Sequence, residues 1–300
     1  MFDTAPQLDC NGRVLRLDVP RVMGIVNVTP DSFSDGGAHA TAEAAIAHGL
    51  RLVAEGADLL DIGGESTRPG AAEVSIDEEL RRVMPVVKGL ARATRVPISI
   101  DTSKPEVMRA AVEAGAGMIN DVYGLRRDGA LDAAAALGVP VVLMHMQGEP
   151  RGMQEAPDYD EVVGDVHCFL AERIFSAEMA GIDKKRIVVD PGFGFGKTTA
   201  HNLALLAQLA RFVELGVPVL AGLSRKRSIG ELTGREVPDA RVAGSVAAHL
   251  IAAQRGALLL RVHDVAATVD ALKVWNAVAA VPMPRGGSPA APAIRWPDEL

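Results

Sequence analysis

The chain has 300 residues, 48% apolar and 23% charged, with a formal net charge of −7. That length fits one large barrel domain or two ordinary domains, and the negative balance disfavours a nucleic-acid partner. No apolar run approaches the ~20 residues of a membrane span, the N-terminus lacks the basic-then-apolar order of a secretion signal, and two cysteines, Cys10 and Cys168, are too few for a disulfide framework. A reducing cytoplasm, with no membrane partner, is the expected home.

In chain order, residues 1–20 read as an N-terminal capping segment ahead of a domain spanning 21–281. Eight short apolar runs follow: VMGIVN (22–27), DLLDIG (58–63), PISID (97–101), MIND (118–121), PVVLMH (140–145), RIVVD (186–190), PVLAGLS (218–224) and ALLLRVH (257–263). They are continuous rather than alternating, as parallel strands buried on both faces should be. Helical patterns lie between them. Residues 41–55 start at a candidate Thr41 N-cap and stop before Gly56. Residues 105–114 open on a proline and close at Gly115, and residues 201–215 end at Gly216. The phrase helix, glycine, strand recurs at a spacing of ~30 residues, which is the grammar of a βα repeat. About eight such units suit a closed (β/α)8 TIM barrel in the α/β class better than a doubly wound open sheet, the fold alternative. Residues 282–300, rich in Pro, Gly and Ala, read as a disordered or loosely packed tail.

Each apolar run finishes on polar residues: Asn27, Asp61, Asp101, Asn120 with Asp121, His145, Asp190, Ser224, and Arg261 with His263. In a barrel these ends point to one rim and converge on one pocket. Capping of strand-to-helix turns explains single cases. It does not explain a whole ring of carboxylates and amides. The first two loops, NVTPDSFSDGGA and GGESTRPGA, are long and glycine-rich and could close over a ligand. The last two carry cations, and Lys226, Arg261 and His263 on one rim would make an anion site. Three adjacent side chains cannot all point inward, so at least one of Arg225, Lys226 and Arg227 is expected to face solvent. In DPGFGFGKT (190–198) the glycine spacing is one residue short of a phosphate loop, and Phe193 and Phe195 suggest an apolar wall for an aromatic ligand. No HExxH, paired Cys/His set or GxSxG is present, so zinc and hydrolase chemistry lose ground.

VNVTPDSFSDGG (26–37), DIGGESTRPGA (61–71), ISIDTSKPEV (98–107), MINDVYG (118–124), LMHMQGEPRGMQ (143–154), VVDPGFGFGKT (188–198), LSRKRSIG (223–230) and RVHDV (261–265) resemble, in order, the motifs of dihydropteroate synthase. The resemblance covers about residues 20–280. It implies a barrel enzyme, usually a homodimer, that joins p-aminobenzoate to 6-hydroxymethyl-7,8-dihydropterin diphosphate with magnesium, in folate synthesis. It further implies a pterin set of Asp101, Asn120, Met144, Asp190, Phe195 and Lys226. Asn27, Thr67, Arg261, Val262 and His263 are the implied diphosphate set, with Asn27 also on magnesium. Thr67, Arg68, Pro69, Phe195 and Ser224 are the implied p-aminobenzoate set, and Asp101, Lys226 and Asp35 the catalytic residues. The chemistry agrees: carboxylates and an amide match the N–H donors of a pterin edge and a lysine its carbonyl, while an amide oxygen suits a hard cation. Sulfonamides, as mimics of p-aminobenzoate, are expected to compete.

The expected mechanism cleaves C–O ahead of C–N formation. Charge on the leaving diphosphate would meet magnesium, Arg261 and His263, and Asp101 would steady the cationic methylene. This assumes cations on one side of the rim and carboxylates on the other. A barrel that transfers methyl groups from methyltetrahydrofolate would share the pterin contacts but has no use for the anion site or the first loop. A silent scaffold paralogue would not need both loops. The helix at 239–254 is a candidate dimer contact.

Overall fold

A computed structural model describes residues 6–28, 37–66, 73–148 and 157–281, the side chains of 37–41 excepted. Asp35, Thr67, Arg68, Pro69 and the 282–300 tail lie outside the described residues. A hairpin of β1 (Gln7–Cys10) and β2 (Arg13–Arg16) precedes eight strands: β3 (Arg21–Asn27), β4 (Leu59–Gly63), β5 (Ile98–Asp101), β6 (Met118–Asp121), β7 (Val141–Met144), β8 (Ile187–Asp190), β9 (Val219–Ala221) and β10 (Ala257–Val262). The eight pair in parallel and in chain order, and β10 closes the barrel against both β9 and β3. The helices are α1 (Gly37–Ala54), α2 (Ile76–Ala93), α3 (Pro105–Glu113), α4 (Ala130–Leu137), α5 (Val162–Met179), α6 (Thr199–Ala207), α7 (Ala210–Val213), α8 (Arg227–Thr233), α9 (Val242–Gln254) and α10 (Val265–Ala279).

The strands are continuously apolar because alternate residues enter two different cores. Val22, Leu60, Ile119 and Val141 pack outward under the helices. Their neighbours Met23, Leu59, Met118 and Val142 fill the barrel with Val188, Leu220 and Leu259, and there they meet Leu8, Cys10, Leu15 and Leu17 of the hairpin. The N-terminal segment therefore plugs the end of the barrel opposite the strand C-termini. Asn11 and Gly12, at φ of 57° and 80°, form its two-residue turn. A Cβ on Gly117 would lie 2.3 Å from the Cys10 carbonyl oxygen, so only glycine lets the plug seat on β6. Burial lifts the Cys10 thiol to about 12, which keeps it inert.

Some boundaries differ from expectation. α1 begins at Gly37, so Thr41 lies inside the helix rather than capping it. The helix expected over 201–215 is broken into α6 and α7, and both Leu209 and Phe212 reach the core at the break. β9 ends at Ala221 because the next residues leave the ladder: the Leu223 N–H donates to His249 Nε2 of α9 at 3.2 Å.

The roots of the second loop are tied down. Lys104 Nζ donates to Glu65 Oε2 and to Glu79 Oε2, each at 2.5 Å, and the Val74 N–H donates to Glu65 Oε1 at 3.0 Å. Arg82 Nη1 donates to the Gly64 carbonyl at 2.8 Å. Glu65 thus joins the two flanks of the 67–72 segment. Glu79 is fully buried, so removing its cation would strand a charge. Lys104→Met is expected to lower unfolding free energy by about 3–5 kcal/mol. Lys104→Met with Glu79→Gln should recover much of that loss in urea denaturation; an unchanged midpoint for the single variant would show that the pair carries no weight.

Candidate active site

The strand ends gather around one guanidinium. Arg261, near the end of β10, donates from Nε to Asp61 Oδ2 at 2.6 Å and from Nη2 to Asp101 Oδ2 at 2.7 Å. Asp61 Oδ2 also accepts from Asn120 Nδ2 at 3.0 Å. β4, β5, β6 and β10 are thereby cross-linked at the rim. Asp61 is fully buried, and its Oδ1 has no hydrogen-bond partner among the described residues. Burial pushes Asp101 up to about 7, against the pull of Arg261 and with the help of Asp61, Glu79 and Asp121. The surrounding carboxylates hold Arg261 charged, above its ordinary range despite burial.

The expected separation of cations from carboxylates is therefore not what the chain builds. Arg261 sits between two of the carboxylates. A barrel mouth is apolar enough that neither sign is tolerated alone.

Around this cluster stand the other strand-end groups. Asp101 and Asn120 are register partners on β5 and β6, and Met144 and Asp190 on β7 and β8. Asp190 Oδ1 accepts the Gly192 N–H at 2.7 Å, and burial lifts its carboxyl to about 6. Lys226 precedes α8 and lies with its Nζ 4.3 Å from the centroid of the Phe195 ring. Burial and Arg261 bring it down to about 8, against the pull of Asp190 and Asp101. Met144, Met146 and Val122 form a small apolar cluster with Phe195 and Tyr123. Phe193 does not join it; only 1% exposed, it packs in the outer core. The two phenylalanines are two residues apart, but the glycines between and beside them turn the backbone so that the rings part.

The cationic side is smaller than expected. The His263 N–H donates to Ser224 Oγ at 3.1 Å, and its Nδ1 lies 3.0 Å from the same oxygen. Burial, with Arg261 and Arg225 nearby, depresses His263 to about 3, so at neutral pH it offers a neutral ring and no charge. Ser224 and His263, expected at different substrates, are bonded to each other. Of the three adjacent basic residues, Lys226 faces inward, Arg227 pairs with Glu231 at the surface, and Arg225 pairs with Asp264 at 2.7 Å and with Asp239. Val262 is buried, and Asn27 ends β3 half-buried.

The sequence places Asp61 on the rim but assigns neither Asp61 nor Lys197 a substrate contact. The signal for Asp61 is positional: it is a strand-end carboxylate on β4, and closing the barrel with β10 beside β3 brings Arg261 within reach of it. Lys197 lies in the segment whose glycine spacing falls one residue short of a phosphate loop, and nothing in its local pattern signals the contacts it makes.

The sequence model of the pterin binding enzyme family matches residues 23–263. Dihydropteroate synthase of Escherichia coli is 52% identical over 271 residues, which cover 90% of this chain and 96% of that protein. The structure of the Xanthomonas albilineans dihydropteroate synthase with 4-aminobenzoic acid is 74% identical, covers 93% of this chain and all of its own (100%), and superposes with a TM-score of 0.89. A second structure of that enzyme, in complex with 7,8-dihydropteroate, is 72% identical over 92% of this chain and 100% of its own, with a TM-score of 0.86. A rim of carboxylates, an amide and a lysine on a closed parallel barrel, matched along nearly its whole length at this identity, places the chain in the dihydropteroate synthase family of pterin binding enzymes.

Proposed function

We propose that the strand-end cluster carries out the family's reaction, joining p-aminobenzoate to 6-hydroxymethyl-7,8-dihydropterin diphosphate with release of diphosphate. The observation that carries this is the shared guanidinium of Arg261, which holds Asp61 and Asp101 beside Asn120. Asp101, Asn120 and Asp190 accept and donate along the pterin edge, and Lys226 meets its carbonyl. Met144 and Phe195 cover the ring faces. The C–O bond breaks first and its electron pair leaves with the diphosphate. The positive charge left on the methylene faces Asp101. The amine nitrogen then forms the C–N bond and gives up its proton to solvent or to the departing diphosphate. Arg261 supplies positive charge, while neutral His263 and Ser224 supply hydrogen bonds rather than charge. Val262 and Thr67 complete the diphosphate set, and Thr67, Arg68, Pro69 and Ser224 the p-aminobenzoate set. Asp35 assists catalysis from the first loop.

The donor set fits magnesium. The Asn27 side chain makes no hydrogen bond among the described residues, which leaves an amide oxygen for a hard cation. Those residues hold no group of three His, Cys, Asp or Glu side chains for an all-protein site, which suits a cation that keeps its waters and takes phosphate oxygens. Asn27 would hold the ion, which when bound neutralises charge on the diphosphate.

Two further parts of this reading concern setting. A cytoplasmic location is supported by two unpaired cysteines, and no described helix is long and apolar enough to cross a membrane. A homodimer is supported by Val274 and Val278, one turn apart on α10 and two-thirds exposed, beside α9. Light scattering should give twice the monomer mass, and Val274→Glu with Val278→Glu should halve it; a monomeric parent protein would overturn the dimer.

Incubated with pterin diphosphate, p-aminobenzoate and magnesium, the protein should release diphosphate only when all are present. Asp101→Asn should lower kcat by about 100-fold or more, the scale of one removed charge-stabilising group. Release without p-aminobenzoate, or full turnover by Asp101→Asn, would contradict the reading.

Binding should also depend on pH. Asp101 must be ionised to accept pterin N–H groups, and it loses its proton near 7 in the free protein. The affinity for the pterin alcohol, which lacks the titrating diphosphate, should therefore fall as pH drops through about 7, and further below about 6 as Asp190 protonates. Asp101→Asn should abolish the upper limb in a calorimetric titration. An unchanged profile would assign the limb to another group.

A further inference from the structure

Among the described residues two buried lysines take no part in the reaction: Lys104, which is paired with Glu65 and Glu79, and Lys197. Lys197 is 2% exposed, and among the described residues no carboxylate forms a salt bridge with it; Asp190 acts on it only at longer range, against the larger effect of burial. Burying an amine without an acid partner is costly, and a methionine would fill the same volume without that cost. Its hydrogen bonds show what it holds. Nζ donates to the Phe195 carbonyl at 2.9 Å, lies 2.9 Å from His145 Nδ1, and reaches the His145 carbonyl at 3.4 Å.

Those acceptors arise from the way the 192–197 loop lies on the end of β7. A Cβ on Gly192, at φ 70°, would sit 1.9 Å from the His145 carbonyl oxygen, and one on Gly196 would sit 2.4 Å from that of Gln147. Two backbones pressed this closely leave carbonyls facing a dry interior. Tyr159 satisfies one of them, its hydroxyl donating to Gly196 O at 2.8 Å. Lys197 satisfies others. Burial, with Lys197 and Arg126 close by, keeps His145 neutral, so one ring nitrogen is free to accept, and the Nε2–H tautomer makes that nitrogen Nδ1, facing Lys197. The imidazole is fixed edge-on to Phe169 at 4.8 Å.

The far side of the same loop faces the site. Phe195 is half-exposed while Met144 beneath it is 3% exposed, so the ring stands in the outer layer of the pocket, above the pterin floor of Asp101, Asn120 and Asp190. Lys226 Nζ rests 4.3 Å from its centroid.

We propose that Lys197 is a positioning residue for the amine substrate, pinning the Phe195 carbonyl to β7 and so fixing the aromatic wall against which p-aminobenzoate and Lys226 are set. This rests on the synthase reading above. Lys197 does not touch substrate; it acts through Phe195.

The test compares Lys197→Met and Lys197→Gln with the parent protein and with Leu272→Ala, a core change on α10 that lowers stability far from the loop. Lys197→Met is expected to raise the KM for p-aminobenzoate about tenfold, the effect of one lost buried hydrogen bond. In the same variant kcat should change less than about threefold, and calorimetric affinity for pterin diphosphate without amine less than about twofold. Lys197→Gln, which keeps an N–H donor, should fall between; if Lys197→Met does not fold, it carries the test alone. Leu272→Ala should lose Tm with both KM values unchanged. An unchanged p-aminobenzoate KM in the Lys197 variants, or an equal loss of pterin affinity, would overturn the assignment. A parent protein that releases no diphosphate would overturn the synthase reading and the inference with it.

Discussion

Arg261 reaches across the barrel mouth to Asp61 and Asp101, and the rim is arranged around those two contacts. Any one of these three charged side chains alone at the top of an apolar barrel would be an uncompensated charge, and the two carboxylates without the cation would repel each other. Together they form a cluster with one cation between two carboxylates, extended to Asn120 through Asp61. The carboxylates keep Arg261 charged, while burial keeps Asp101 close to the edge of protonation. A ligand with N–H donors on one side and an anion on the other can replace both halves of this cluster at once. The free protein thus holds its own charges in positions a pterin diphosphate would take over.

The remaining architecture serves to keep that cluster in place. The barrel closes by pairing β10 with β3, which brings residue 261 beside the first strands although 200 residues separate it from Asp61. The hairpin plug fills the opposite end and leaves the C-terminal mouth as the open one. Lys104 anchors the second loop, His249 and Ser245 of α9 hold the backbone at Leu223 and Arg225, and Lys197 fixes the 192–197 loop. In each case a buried polar side chain satisfies backbone or charge beside a loop, the placement that confers precision on a site.

Much of this is legible in the residues. Continuous apolar runs ending in Asn, Asp, Ser or Arg mark buried parallel strands and their functional ends, because only those ends can carry polarity in such a barrel. What is not legible is set by three-dimensional neighbours. His263 reads as a cation until its burial beside Arg261 and Arg225 shows it neutral. Phe193 and Phe195 look equivalent until backbone turns at Gly192 and Gly194 send one ring to the core and one to the mouth. The Asn11-Gly12 pair is a hairpin signal legible within the N-terminal capping segment. The break between α6 and α7 was not readable, since Leu209 and Phe212 continue the helical pattern across it.

The central claim is that one guanidinium balances two buried carboxylates, and denaturant unfolding of charge-matched variants tests it most directly. Arg261→Met alone should lower unfolding free energy by about 3–5 kcal/mol, because it strands Asp61 and Asp101. Arg261→Met combined with Asp61→Asn and Asp101→Asn should restore most of that loss. If the single variant is as stable as the parent protein, or the triple variant is no more stable than the single, the rim is not organised by this cluster.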